Sequence, residues 1–300
     1  MSSALPAAIA LEQCLPLRLA AAWIYPVKSC AGMAVDTLTV LPDGTPAGDR
    51  EWAVLNAADE VTWQGAFPRL ALVRARLDAS ALHLDAPGMP TLSLAREAAR
   101  PTREIRFWNE ARADFDCFAA EDAGEAAHRW LSEAVGEPLQ LVRLGEAART
   151  RPALNPLHAI TTASLQLLNA RLAARGLAPA AIERFRPNLL LAGCEEPGEQ
   201  ASGGEEDLLP FDELRLRALH RVGADGAAEE VLRFAGPCVR CVMPNIDLET
   251  AAVGEEPLAC VAQLSEEREP GSAAIFGAYA RAPAGLCLRV GDRLFGELDF

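Results

Sequence analysis

Lysine is almost missing from this chain. Of its 28 basic side chains, 27 are arginine and only Lys28 is lysine. Aromatic residues are sparse, at 6%, with two tyrosines. No apolar run reaches the roughly 18–20 residues that a membrane-spanning helix needs. The apolar segment Leu15–Tyr25 follows Glu12 and is broken by Arg18. No basic stretch precedes an apolar one at the N-terminus, so no secretory signal is expected. Eight cysteines among 300 residues are too few for a disulfide scaffold. These absences predict a reduced, cytoplasmic protein with no membrane partner. Positive charge is also short: 42 acids against 28 bases leave a net charge of −14. That balance argues against a dedicated nucleic-acid binder and against docking on anionic membranes.

What is present is globular. Half of the residues are hydrophobic and 23% are charged. The length suits one large domain or two closely packed ones. In the first half, Leu15, Leu17 and Leu19 alternate with other residues, and short strand-like runs follow at 35–41, 52–55, 71–77, 81–84 and 104–108. Turn residues separate them, and this spacing predicts a barrel or sandwich. A helix is expected over 121–135, closed by Gly136. In the second half, a helix over 163–175 ends at Gly176 and a buried strand covers 189–192. The acidic stretch 195–214 reads as a solvated loop. Further strands are expected around 214–218, 231–234, 286–290 and 293–295. The resulting fold class is α+β and predominantly β, with a β-rich domain over 15–145 and a second over 146–300.

The densest chemical signal is Cys238-Val239-Arg240-Cys241. Two cysteines at this spacing suggest zinc, but a structural zinc site takes four ligands and no second pair exists. A thioredoxin-like pair sits at a helix N-terminus, whereas this one follows a strand and runs into Val242-Met243-Pro244. Two alternatives stay open: a loop with no role, or one soft thiolate for a metal already held by another chelator, such as molybdenum in a dithiolene pterin. An anionic cofactor of that kind needs positive partners. Lys28, Arg50, Arg186 and Arg240 are candidates, arginine for bidentate phosphate contact and lysine as a point charge. For each arginine taken singly, an ordinary surface charge is the competing reading.

Several segments together resemble a known family. They are Tyr25-Pro26-Val27-Lys28-Ser29-Cys30, Asp49-Arg50-Glu51-Trp52, Phe67-Pro68-Arg69-Leu70, Thr161-Thr162-Ala163-Ser164-Leu165, Phe185-Arg186-Pro187-Asn188, Cys238 to Cys241 with Asp247, and Phe276-Gly277-Ala278-Tyr279. In this order they resemble MOSC-domain proteins with an N-terminal MOSC β-barrel domain, within them the amidoxime-reducing components and their bacterial relatives. The resemblance implies a MOSC β-barrel packed against a β-rich N-terminal domain. It implies a molybdenum–molybdopterin cofactor, with Cys241 as metal ligand and catalytic centre. It assigns cofactor contacts to Lys28, Ser29, Arg50, Asn155, Arg186, Val239, Arg240 and Tyr279.

The implied reaction is two-electron reduction of N-hydroxylated compounds: amidoximes, hydroxylamines and N-oxides. No ferredoxin cysteine spacing and no haem-attachment motif occurs, so a separate electron donor of ferredoxin or flavin-reductase type is expected. The alternative is a carrier that holds the cofactor, or sulfur on Cys241, without turnover. Pyridoxal phosphate is disfavoured: Lys28 would be the one Schiff-base lysine, and that association belongs to a separate domain of cofactor sulfurases. Cys238 reads as a spare thiol, and Cys30 as a packed residue or a neighbour of the site. The other cysteines read as structural or incidental. His83, His128 and His220 carry no motif and are expected at the surface or half-buried, while His158, just before Thr161, has a better claim to the site.

Overall fold

The computed structural model describes residues 11–151, 157–194, 208–223 and 225–299. Its spine is the strand Leu15–Ile24. Leu17 and Leu19 are fully buried there, with Arg18 exposed between them, which is the period-two pattern of a strand with one face on a core. This strand pairs antiparallel with Arg293–Leu298 on one side and with Leu189–Gly193 on the other. It thereby closes a seven-strand barrel with Leu157–Thr161, Ile275–Arg281, Ala228–Val239 and Leu216–Val222. One neighbouring pair is parallel, Leu157–Thr161 beside Leu189–Gly193. Parallel neighbours need a crossover, and the helix Thr162–Ala174 lies between them in sequence. Leu17, Leu19, Leu157, Leu189, Leu219, Leu232 and Leu294 meet inside the barrel.

The remaining N-terminal residues form two antiparallel sheets. One runs in the order Trp52–Leu55, Gln140–Leu144, Asp114–Asp122, Thr102–Asn109; the other is Arg74–Leu77, Ala81–Asp85, Leu92–Ala95. The helix Glu125–Val135 seats Ala127, Trp130 and Leu131 in a core with Trp52, Leu70, Leu82 and Leu84. Its Trp130 indole N–H donates to Pro90 O at 2.6 Å. A further pairing, Thr37–Thr39 with Cys287–Arg289, ties the early chain to its last part. The architecture is the predominantly β, α+β fold expected.

Local expectations fail where periodicity is weak. The helix expected from 121 begins at Glu125, because Asp114–Asp122 forms a hairpin with Thr102–Asn109 and Gly124 turns the chain at φ 92°. Residues Pro68–Leu72 are a 3₁₀ turn, so the strand there starts only at Arg74. The helix Leu258–Arg268 carries no strong apolar stripe and was not anticipated. Of the acidic stretch 195–214, residues 195–207 lie outside the described residues. Its end is not solvated: Leu208, Phe211, Asp212 and Glu213 are buried, and Glu213 accepts from the hydroxyls of Thr161 and Ser164 at 2.7 Å. His220 is also buried, at 2% exposure, 3.0 Å from the Glu297 carboxylate.

A buried polar knot joins the two halves. Asn188 is 1% exposed. Its amide N–H₂ donates to Trp23 O at 3.1 Å and to the Asp49 carboxylate at 3.3 Å, and its side-chain oxygen accepts from His158 N at 3.2 Å. The same Asp49 oxygen accepts from Tyr25 N at 2.7 Å, and the Tyr25 hydroxyl donates to Pro187 O at 3.0 Å. Three of the family-like segments are thus tied at one point, together with Trp23 and His158. Asn188→Leu leaves Trp23 O and His158 N without partners, at about 1–3 kcal/mol each. Urea unfolding should show a loss of about 3 kcal/mol, and a loss below about 1 kcal/mol would show that the knot is not structural.

Candidate functional site

The knot places its neighbours around a cavity of about 200 Å³. The walls carry Lys28, Ser29, Arg50, Arg186, Val239, Arg240, Cys241 and Tyr279, together with His158, Phe185, Cys238 and Met243. Eight of the nine residues singled out from the sequence therefore meet in one place. The ninth, Asn155, lies outside the described residues.

Backbone pairing sets the first two contributions. Arg50 N donates to Tyr25 O at 2.8 Å, Trp52 N to Pro26 O at 3.0 Å and Lys28 N to Trp52 O at 2.8 Å. This zipper brings Lys28 and Ser29 beside Arg50. Ser29, Arg50 and Arg186 all adopt left-handed backbone, at φ 71°, 51° and 54°. Each such residue costs about 1–3 kcal/mol unless the surroundings hold it, and such strain gathers at functional sites. All three residues line the cavity.

The cations are held by aromatic faces and carbonyls more than by acids. Arg186 lies over the Tyr25 ring at 4.1 Å and donates to Cys30 O. Arg50 stands 5.4 Å from the same ring and pairs with Asp49. Arg240 donates to Phe185 O at 2.9 Å and to the Cys238 sulfur at 3.0 Å. Its Nε is buried without a partner. Lys28 is half-buried and donates to Thr62 O at 3.0 Å. Burial, with the charges of Arg151, Arg186 and Arg50, pushes its pKa down to about 7. Burial and Arg240 likewise lower His158 to about 3, so this imidazole is neutral.

The two thiols of Cys238–Cys241 differ in place. Cys238 is buried at the end of its strand, while Cys241 is exposed at the cavity mouth beside Val239, itself 58% exposed. Among the described residues no three His, Cys, Asp or Glu side chains gather, so a bare ion finds no protein cage. One open thiol among cations and aromatic faces suits a metal that brings its own anionic chelator.

The sequence matches the MOSC N-terminal beta barrel domain over residues 17–138 and the MOSC domain over 149–295. The chain belongs to the MOSC-domain family. It is 28% identical to mitochondrial amidoxime reducing component 2 of Rattus norvegicus, covering 92% of this chain and 82% of that protein. It is 26% identical to mitochondrial amidoxime-reducing component 1 of Homo sapiens, covering 91% and 81%. A molybdenum cofactor sulfurase of Oryza sativa subsp. japonica is also 26% identical, over 82% of this chain but 30% of its own length. Among the described residues of this MOSC protein, no helix is long and apolar enough to cross a membrane.

Not every family-like segment serves the cavity. Asp247 accepts from Thr250 and from Arg184, the latter at 2.6 Å, and so closes a turn. Arg69 donates to Ala134 O at 3.1 Å at the end of the helix Glu125–Val135. Thr161 caps the helix Thr162–Ala174. Gly277, at φ 82°, is needed for room: a Cβ there would lie 2.3 Å from His158 Nε2. Cys238, Phe185 and Met243 also line the cavity without being expected there; Cys238 and Phe185 each adjoin an expected contact, and Met243 lies two residues after Cys241.

The sign of the Lys28 shift makes a prediction. Between about pH 7 and its ordinary 10.5, the unfolded chain holds this proton and the folded one does not. Stability therefore rises with pH across that window, because the cost of a buried charge is fully present below it. From pH 7 to 9, wild type should gain roughly 2 kcal/mol of unfolding free energy relative to Lys28→Met. A constant gap between the two proteins would show that Lys28 stays charged when folded.

Proposed function

We propose that this MOSC protein is a molybdenum-cofactor oxidoreductase that reduces N-hydroxylated compounds. The observation that carries this reading is one exposed thiol, Cys241, on the rim of a cavity walled by Lys28, Arg50, Arg186 and Arg240. The residues fit the group. A soft thiolate suits molybdenum, and the guanidinium and ammonium groups suit the phosphate and the anionic chelate. The unpartnered buried Nε of Arg240 adds a donor aimed at no protein acceptor.

In this reading Cys241 ligates the metal, and Lys28, Ser29, Arg50, Arg186, Val239, Arg240 and Tyr279 hold the pterin, with Asn155 as a further contact. The bound cofactor supplies two-electron chemistry that takes the oxygen from an N–O bond. The protein holds the cationic field in place before the ligand arrives, so little reorganisation is needed. Arg240 donates to the Cys238 sulfur and shares the loop with Cys241, so a guanidinium stands beside the assigned ligand. Electrons come from a separate donor of ferredoxin or flavin-reductase type, in a reducing, cytoplasmic setting. The names of the relatives, amidoxime reducing components and a cofactor sulfurase, support the class of chemistry.

The test combines content with turnover. Native protein should contain molybdenum and pterin in equal amounts and reduce benzamidoxime with a chemically reduced viologen as donor. Cys241→Ala should lose this activity entirely, while Cys238→Ala should keep most of it. Bound cofactor with no reduction from any donor would replace the enzyme by a carrier. Full turnover in Cys241→Ala would remove the assigned ligand.

A further inference from the structure

A second, larger void adjoins the cavity. It is a cleft of about 790 Å³, and Arg186 lines both. One side carries residues 31–33, Gln64 and the start of the strand Arg74–Leu77, and the other carries parts of 179–186 and 247–249. The two voids differ in charge. Lys28, Arg50, Arg186 and Arg240 line the cavity without a carboxylate, whereas four arginines and four acids line the cleft. Two of those acids are spent on neighbours: Asp85 pairs with Arg76 at 3.0 Å and Asp247 with Arg184 at 2.6 Å. Among the described residues, no hydrogen bond or ion pair engages the carboxylates of Glu183 and Glu249, which stand on the same wall.

Gln64 marks this cleft as a ligand site. It is 3% exposed and lines the cleft. Among the described residues its carboxamide makes no hydrogen bond. Buried side-chain polar groups are paired in the large majority of cases, so a buried carboxamide open only to a cleft is a contact kept for a guest. Its place in the fold is fixed on both sides. Ala66 N and Phe67 N donate to Trp63 O at 3.1 Å, which closes the turn, and Thr62 O accepts from the Lys28 ammonium at 3.0 Å. A few polar groups set among small apolar side chains, here Ala31, Ala71, Ala75 and Ala181, is the usual make-up of a small-molecule site.

We propose that the cleft is a subsite for the cationic product of the reduction, with the Gln64 side-chain oxygen and the Glu183 carboxylate as its acceptors. The inference rests on the reductase reading above. An amidoxime that takes up two electrons from the donor and two protons loses its oxygen as water and becomes an amidine. The N–OH group withdraws electron density, so the amidoxime is uncharged at neutral pH, while the amidine is a strong base and takes up a further proton. Only the product is then drawn by the unpaired acids. A planar amidinium presents two parallel N–H groups to a carboxylate and keeps another N–H for a carboxamide oxygen. Charge thus separates product from substrate, which is a difference in affinity rather than in shape.

The experiment titrates benzamidine into the full chain by calorimetry at low salt, with uncharged benzamide as the control. Benzamidine should bind about tenfold tighter than benzamide. Gln64→Leu should weaken benzamidine about tenfold and Glu183→Gln about threefold. In turnover of benzamidoxime, added benzamidine should inhibit wild type, and Gln64→Leu should raise its inhibition constant by the same factor as its Kd. Equal binding of benzamidine and benzamide, or a benzamidine affinity unchanged in both variants, would overturn the proposal. Should Gln64→Leu not fold, Glu183→Gln decides, since that side chain is exposed. Benzamidine bound with the same dependence on Gln64 by native protein that holds no molybdenum and reduces no N-hydroxylated compound would remove the reductase reading and leave an amidinium site. Turnover of benzamidoxime without such binding would remove the subsite alone.

Discussion

Everything near the cavity depends on the hydrogen bonds of Asn188 and Asp49. These two side chains join the end of the first strand, the segment before Trp52, the turn after Phe185 and the strand that carries His158. A buried amide and a buried carboxylate are costly to leave unsatisfied, so each partner fixes the others. The left-handed backbone of Arg50 and Arg186 lies next to these groups in sequence. The knot is what holds those two strained residues at the cavity wall.

The second constraint is electrostatic. A chain of net charge −14 encloses a local field of the opposite sign. Arg186, Arg240 and Lys28 are held on Tyr25 and Phe185 and by main-chain carbonyls, while Arg50 pairs with Asp49. Aromatic faces stabilise a guanidinium without neutralising it. The pocket therefore keeps its attraction for an anion, and its low pKa at Lys28 records the cost while no anion is bound.

Much of the site was legible in the residues because it is built from short segments whose order is distinctive. Lys28, Arg50, Arg186 and Cys241 each sit in such a segment, and the cavity contains them all. Asp247, Arg69 and Thr161 show the converse. They belong to the same recognisable segments but spend their hydrogen bonds on a turn, a helix end and a cap.

By itself the sequence determined the β-rich class, eight of the residues that line the pocket and the oddity of a single lysine. Alternation, turn residues and local motifs are short-range properties that survive without coordinates. Only the tertiary structure decided that the first strand closes a barrel made otherwise of late strands. It also decided which of the two thiols is open and how little negative charge accompanies the cations. Those outcomes depend on strand pairings across most of the chain and on burial. Neither can be read from spacing, because the pairing partners of a strand are chosen by the whole core.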